Sequence, residues 1–462
     1  MNIDLTQGKI LGTLVRLALP IAGGQIMTMA YSLMDMFWLG RVSGYALAAA
    51  GVAGLFMWLS VGLMLIGRVG AEVGVSQARG SGDIDTAYRH SRVAVYIAAV
   101  LGILYGAFLL IFRNPLIGFF NFQEAHVAAD AVTYTAITAA GMPAIFVTSA
   151  ITGAFVASGN ARTPFIISAG GLLLNMGLTP LFVFPLGMGV AGAAIASIIA
   201  QNLVLIVILV ALKTSKNRPF EKYRLLAKVK LWAVIDDLRH GTANKMFKLT
   251  LPVCLENTAF PLLTMITTRF EVGFGAHAVS MSRVGTQVES LSWLVGAGFG
   301  AALTAFVGQN FGANKHGRIS TGVKYTTVLL ILWGALVTLI MWFGGGVVFE
   351  IFLPDYAADP DKRSLFVTYM RILAACQIFA NLEYVATNAF RGKGRTIPPS
   401  VVNITSNVIR VPLAFFLSLT PLGLLGIWTA ISFTGGLRGV CGCIWYWIDG
   451  RRSKNAGRHH NV

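Results

Sequence analysis

Twelve apolar runs, each long enough to cross about 30 Å of hydrocarbon, leave this 462-residue chain little choice of fold. They fall at about 17–40, 45–71, 93–112, 131–157, 164–184, 188–212, 249–268, 278–308, 322–349, 366–390, 397–418 and 423–448. No water inside a bilayer can satisfy exposed backbone groups, and a helix satisfies them within one run. The expected fold class is therefore all-α: a polytopic membrane protein with twelve transmembrane helices. Hydrophobic residues make up 55% of the chain and charged ones 12%, against about 25% charged in soluble proteins. A soluble enzyme is excluded. The four cysteines all lie in apolar stretches, so neither a disulfide nor a zinc site is expected. The polar N-terminus runs into an apolar segment too long for the core of a cleavable signal.

The runs divide six and six around one long polar segment, 213–248, which holds ten Lys/Arg and three acids. The predicted organisation is an N-terminal six-helix lobe (1–212), a basic cytoplasmic linker (213–248), a C-terminal six-helix lobe (249–448) and a basic cytoplasmic tail (449–462). The linker stretch KYRLLAKVKLWAVIDDL suits an amphipathic surface helix as well as it suits solvated chain. The formal charge of +17 is read as topology, not as affinity for nucleic acid. Of 36 Lys+Arg, 26 fall in the termini and even-numbered loops and about 5 in the odd loops. That asymmetry predicts that both termini and the linker face the cytoplasm, in the cytoplasmic (inner) membrane.

The halves repeat. At a shift of 232 residues Leu19-Pro20 falls on Leu251-Pro252, Leu59-Ser60 on Leu291-Ser292, Gln77 on Gln309, Gly80 on Gly312, Asn175 on Asn407 and Pro180 on Pro412. At a shift of 235, Ala154-Phe155…Gly159 falls on Ala389-Phe390…Gly394. Leu-Pro opens spans 1 and 7, and Gln-x-x-Gly closes spans 2 and 8. Six spans per half is even, so the two bundles share one orientation and are related about the membrane normal, a plan used by secondary transporters.

An ionisable residue inside a span is a functional candidate. The acids are Asp35, Glu256, Glu289 and Glu383; the bases are Arg68, Arg283, Arg371, Arg410 and Arg438. Asp35, in AYSLMDMFWLG, has no basic residue within a helical turn. A buried carboxylate without a cation takes up a proton or binds one, which is the physics of an H⁺ or Na⁺ coupling site. A helix-end aspartate touching water is the alternative. Glu256 follows Lys248 by eight residues, and Glu383 precedes Arg391 by eight. Both are thus expected at one depth, about 12 Å along their helices from a cytoplasmic charge. They form either a cation-attracting surface with Glu289 or structural pairs with intramembrane arginines. Arg68 and Glu72 stand four apart and read as a structural pair. Asn175, Gln25, Ser197 and Tyr31 offer further oxygen ligands or interhelical hydrogen bonds. No GxSxG, HExxH or P-loop is present, so a polytopic membrane enzyme is disfavoured.

These stretches, in this order, resemble the MATE (multidrug and toxic compound extrusion) family: LALPIAGGQIMTMAYSLMDMFWLG with ALAAAG, VSQARGSGDIDTAYRH, AFVASGNARTP, GVAGAAIASIIAQN, VGQNFGANKHGR and AFRGKGRT. The resemblance implies two six-helix lobes around a cleft and export of cationic or amphipathic compounds in exchange for H⁺ or Na⁺. It assigns coupling to Asp35, Asn175 and Ser197, with Na⁺ at Asp35 in the sodium case. Thr179 stands where many members carry a second aspartate. Glu256 and Glu383 each lie about a turn from the family's usual acids in spans 7 and 10. The expected substrate cleft gathers Glu256, Glu383, Glu289, Tyr31 and Gln25. No cofactor beyond the coupling ion is expected, and the partners are small molecules and the bilayer, with the protein working as a monomer. A lipid-linked oligosaccharide flippase of the same superfamily is the rival. For that rival, Arg283, Arg371, Arg410 and Arg438 would converge on the cleft.

Overall fold

Polar caps and glycine turns, rather than the ends of the apolar runs, set where several helices start. Asp83 accepts a bond from the Thr86 amide and opens the third helix. Asn160 does the same for Thr163, and Asp359 for Lys362, with Pro360 at the first helical position. The helices therefore run beyond the apolar segments into polar ends. The computed structural model describes residues 3–42, 44–120, 122, 124–214, 241–353 and 359–459. The side chain of Asp35 and the linker stretch at 222–238 lie outside the described residues, whereas 242–248 of the expected linker belongs to the helix that begins at Thr242.

Among the described residues every regular element is a helix: α1 (Ile10–Val42), α2 (Gly44–Gly80), α3 (Ile84–Gly118), α4 (Ala125–Ala157), α5 (Arg162–Val183), α6 (Gly189–Thr214), α7 (Thr242–Val272), α8 (Ala276–Gly312), α9 (His316–Phe352), α10 (Pro360–Ala374), α11 (Gln377–Gly392), α12 (Ile397–Ser418) and α13 (Leu424–His459). Twelve stretches are long and apolar enough to cross a membrane, α10 and α11 together making one of them. The tail predicted from residue 449 continues α13 as helix to His459.

Two six-span bundles repeat one packing plan. Within the first, α2, α3 and α4 pack on one another, α5 packs on α6 and on α1, and α6 packs on α4. The second repeats these pairs with α8, α9 and α10–α11, with α12 on α13 and on α7, and with α13 on α11. Glycines permit the closest approaches. A methyl on Gly102 of α3 would sit 2.8 Å from Pro143 of α4, and one on Gly334 of α9 would sit 2.9 Å from Ile378 of α11.

The bundles meet through α1 on α8, α7 on α2, and α2 on α8. This is the reciprocal pattern a two-fold axis along the normal requires, since span 1 matches span 7 and span 2 matches span 8. Ser76 of α2 and Gly308 of α8 meet each other at the axis, and Gly308 has no room for a methyl beside the Ser76 side chain.

The predicted unbroken span 366–390 is instead interrupted at Ala375–Cys376. A break inside a membrane is tolerated where side chains satisfy the freed carbonyls. Three of them do so here. Ser432 donates to Ile372 O (2.6 Å), Gln377 Nε2 to Leu373 O (2.9 Å) and Thr338 to Ala374 O (3.0 Å).

Candidate functional site

In the N-terminal bundle the predicted ligands converge. Asn175 of α5 is fully buried, and its Nδ2 donates to Tyr31 Oη of α1 at 3.1 Å and to Ser197 Oγ of α6 at 3.2 Å. Its Oδ1 has no hydrogen-bond partner among the described residues, and neither has the hydroxyl of Thr179, one turn further along α5 and also fully buried. Two oxygen acceptors are thus left in a buried site without a donor among the described residues. Such groups are expensive to leave unsatisfied. Asp35 follows Tyr31 by one turn on α1, with its side chain outside the description.

Tyr31 and Gln25 also line a cavity of about 270 Å³ between α1, α2, α4, α5 and α6. Thr28, Ser149, Ser168 and Gln201 add polar groups, and Met27, Phe165 and Val204 add apolar ones. The hydroxyls of Thr148 and Ser149, on residues only 9% and 8% exposed, lack partners among the described residues. Among the described residues, the charged side chain on the cavity wall is Arg68. Its Nε donates to Glu72 Oε1 at 3.0 Å. One edge of the guanidinium is held by that bond. Gly153 of α4 gives the Arg68 stem its space: a methyl there would lie 2.6 Å from the Arg68 carbonyl and 3.3 Å from its Cγ.

The C-terminal bundle holds the three glutamates, apart from that cavity. Glu256 of α7 pairs with Arg391 of α11 (3.3 Å) and accepts from Ser400 Oγ and Asn403 Nδ2 of α12, both at 2.8 Å. The same Asn403 Nδ2 reaches Glu383 Oε1 of α11 at 3.1 Å, and Thr387 reaches that oxygen at 3.3 Å. Glu289 of α8 accepts from Gln377 Nε2 at 3.1 Å. Tyr31 and Gln25 belong to the N-terminal cavity, while Glu256, Glu383 and Glu289 lie among the helices of the other bundle. Glu256 of α7 and Glu289 of α8 point toward α11 and α12, and Glu383 is itself on α11.

Of the four intramembrane arginines, Arg410 and Arg438 lie within electrostatic reach of each other and of Glu289 in the C-terminal bundle, and the other two lie elsewhere. Arg283 and Arg371 are exposed, and Arg371 lies 5.5 Å from the Trp342 ring. Arg410 is buried, donates to Thr434 at 3.0 Å and lies 5.8 Å from Phe260. The acid that the sequence reading leaves in a loop is Glu271. Here α7 extends to Val272, so Glu271 is only 4% exposed and accepts from Trp428 Nε1 at 3.2 Å. Its partner lies 157 residues away, and no local pattern announces it.

The MatE family model matches residues 20–181 and again residues 252–416. The two matches start 232 residues apart, the shift at which the halves repeat. The chain belongs to the MatE family. It is 25% identical over 421 residues to the probable multidrug resistance protein NorM of Thermotoga maritima, covering 90% of this chain and 87% of that one. The probable multidrug resistance protein YpnP of Bacillus subtilis is 25% identical over 451 residues, 97% of each chain. A Shewanella oneidensis protein named FAD transporter is 24% identical over 437 residues, 92% of each. Among solved structures, a MATE crystal structure in the bent conformation aligns with TM-score 0.86 at 19% identity over 98% of both chains. An outward-facing multidrug resistance MATE transporter aligns with TM-score 0.84 at 19% identity over 96% of this chain and 97% of that one. The MatE fold of twelve membrane helices in two bundles is therefore shared. The chain is a membrane transporter of the multidrug efflux family and not an enzyme.

Proposed function

We propose that this MatE protein is a secondary antiporter that exports cationic or amphipathic organic compounds in exchange for H⁺ or Na⁺ by alternating access. The observation that carries the reading is the Tyr31–Asn175–Ser197 cluster with Asn175 Oδ1 and Thr179 Oγ1 unspent beside it. Lone pairs on oxygen serve a hard cation and a protonated carboxyl alike. Asp35 supplies the charge that exchanges, from one turn along α1. Binding an ion there shifts the equilibrium between two arrangements only if the ion prefers one of them. The neighbouring cavity, partly apolar and partly polar, suits an amphipathic occupant.

The charge split supports an orientation with both termini cytoplasmic, in the cytoplasmic membrane of a cell; the working unit in this reading is a monomer. The flippase reading needs all four arginines at one cleft; Arg410 and Arg438 sit together beside Glu289, while Arg283 and Arg371 are exposed, and that split counts against it. One observation favours a second reading of the substrate. Arg68 on the cavity wall suits an amphipath that also carries an anionic group, and a relative named FAD transporter is consistent with that. The test is transport in proteoliposomes under imposed H⁺ and Na⁺ gradients, one at a time. Efflux driven by one of them is expected. Transport indifferent to both overturns the antiport reading.

A further inference from the structure

The Gln-x-x-Gly repeat, which the coupling site does not use, closes the face of the molecule that carries the N-terminus. Gln77 Nε2 of α2 crosses the seam and donates to Gly392 O, at the end of α11, at 2.9 Å. Gln309 Nε2 of α8 crosses the other way and donates to Ala157 O, at the end of α4, at 2.6 Å. Ala157 and Gly392 are themselves equivalent at the 235-residue shift. The glycines complete the exchange. Gly80 rests against the Gln309 carbonyl and Gly312 against the Gln77 carbonyl, and a methyl on either would collide. Four contacts thus form two reciprocal hooks. Each amide occupies a carbonyl that the last turn of a helix leaves without an internal donor.

One hook carries a cover that the other lacks among the described residues. Residues 3–8 lie along the seam as a strap. Leu5 is fully buried and packs among residues of both bundles, including Leu14, Val156 and Phe306. Leu5 N donates to Gln309 Oε1 (3.3 Å) and Leu5 O accepts from Asn310 Nδ2 (2.9 Å). Arg318 donates to the carbonyls of Gly8 (3.0 Å) and Gln7 (2.9 Å), and Lys315 to that of Thr6 (3.0 Å). On the other bundle, Ile3 N donates to Gly159 O at 3.1 Å. The strap is therefore tied to both sides of the seam.

We propose that Gln77–Gly80 and Gln309–Gly312, with residues 3–8 laid over the second, are a latch that holds this face shut, and that strap and hooks release together when the face opens. The inference rests on the alternating-access reading and adds the positioning residues that set its closed state. Spin labels at Asp85→Cys and Gly317→Cys, with the four native cysteines replaced by alanine, report the width of the face in nanodiscs by pulsed electron resonance, without substrate or gradient. Each lost hydrogen bond raises the long-distance population about five-fold. Gln309→Ala opens the face more than Gln77→Ala, because it also frees Leu5, and deletion of residues 1–8 lies between wild type and the double variant. Gln309→Glu keeps the shape and removes the donor, so it serves if the alanine variants do not elute as folded protein. Gly312→Ala widens the face with every hydrogen-bonding group retained. Distance distributions unchanged in Gln309→Glu and Gly312→Ala overturn the latch. Widened distributions in a protein that responds to neither ion gradient keep the latch and remove the antiport reading.

Discussion

Glu256 and Glu383 accept hydrogen bonds from one nitrogen, Asn403 Nδ2, at 2.8 and 3.1 Å. Among the described residues, of these two acids only Glu256 has a cation paired with it, Arg391 at 3.3 Å. The two acids that a sequence treats alike are therefore unequal. Glu256→Gln leaves a guanidinium, 15% exposed, without its carboxylate, whereas Glu383→Gln leaves no cation stranded. The expected cost is about 2–3 kcal/mol for Glu256→Gln, below the range for a fully buried pair because both partners keep some exposure. Glu383→Gln is expected to cost under about 1 kcal/mol. Thermal unfolding in detergent compares them, and equal losses would show that Arg391 has another partner.

Asp35→Asn is expected to keep folding and substrate binding while abolishing gradient-driven export. The amide matches the protonated carboxyl in shape but exchanges no ion. Binding by fluorescence and transport in proteoliposomes separate the two effects. Export at the wild-type rate, at equal expression, moves the coupling role to Glu256, Glu289 or Glu383.

Asn175→Leu removes the donor shared by Tyr31 and Ser197 and should destabilise the first bundle by about 2 kcal/mol for two hydrogen bonds. Tyr31→Phe removes one of them and should cost about half as much. Tyr31 also lines the cavity, so its variant is expected to weaken substrate binding as well. A change in stability without a change in affinity would take Tyr31 out of the substrate site.

Arg68→Gln changes the charged side chain of the cavity wall. If the occupant carries an anionic group, its affinity falls about ten-fold or more, the worth of a charge-assisted hydrogen bond. Cationic compounds bind unchanged or better. Competition binding with a matched pair, an acid and its methyl ester, reads the difference. Equal affinities for the pair, in wild type and variant alike, remove the anionic reading.

Accessible tags at 213–248 test orientation. An external protease should leave that segment intact in whole cells and cut it in inverted vesicles, as the split of Lys and Arg across the loops predicts. Cleavage in intact cells reverses the topology.

The architecture was legible because it is a matter of length and repetition. Apolar runs of spanning length fix the helices, and the pairs at 232 and 235 residues fix how the halves relate. The Tyr31–Asn175–Ser197 cluster was legible in part, as a set of polar residues on spans 1, 5 and 6. The interruption at Ala375–Cys376 was not, because its stabilisers are Thr338, Gln377 and Ser432, on three different helices. Nor was the partition of the acids. Whether Glu256 looks toward α1 or toward Asn403 depends on how α7 is rotated in its bundle, and a short apolar period with acids on it leaves that rotation open. Glu271 was missed for a third reason: Arg269 ends the apolar run, and the helix nevertheless continues.

The meeting of Ser76 with Gly308 bears on how such a chain diverges from a duplicated ancestor. In a symmetric pair of identical chains, a residue on the axis faces its own copy, so neither side can enlarge without the other. Fusion into one chain lifts that constraint and lets the halves divide a fixed volume unequally. Here the larger share went to residue 76. The same trade occurs away from the axis: Arg68 faces Gly153 in one half, while Gly300 faces Asn388 in the other, the bulk having moved to the opposite helix. Substitutions at these places are therefore tolerated in pairs. Ser76→Gly with Gly308→Ser preserves the volume, and Gly308→Ser alone overfills it.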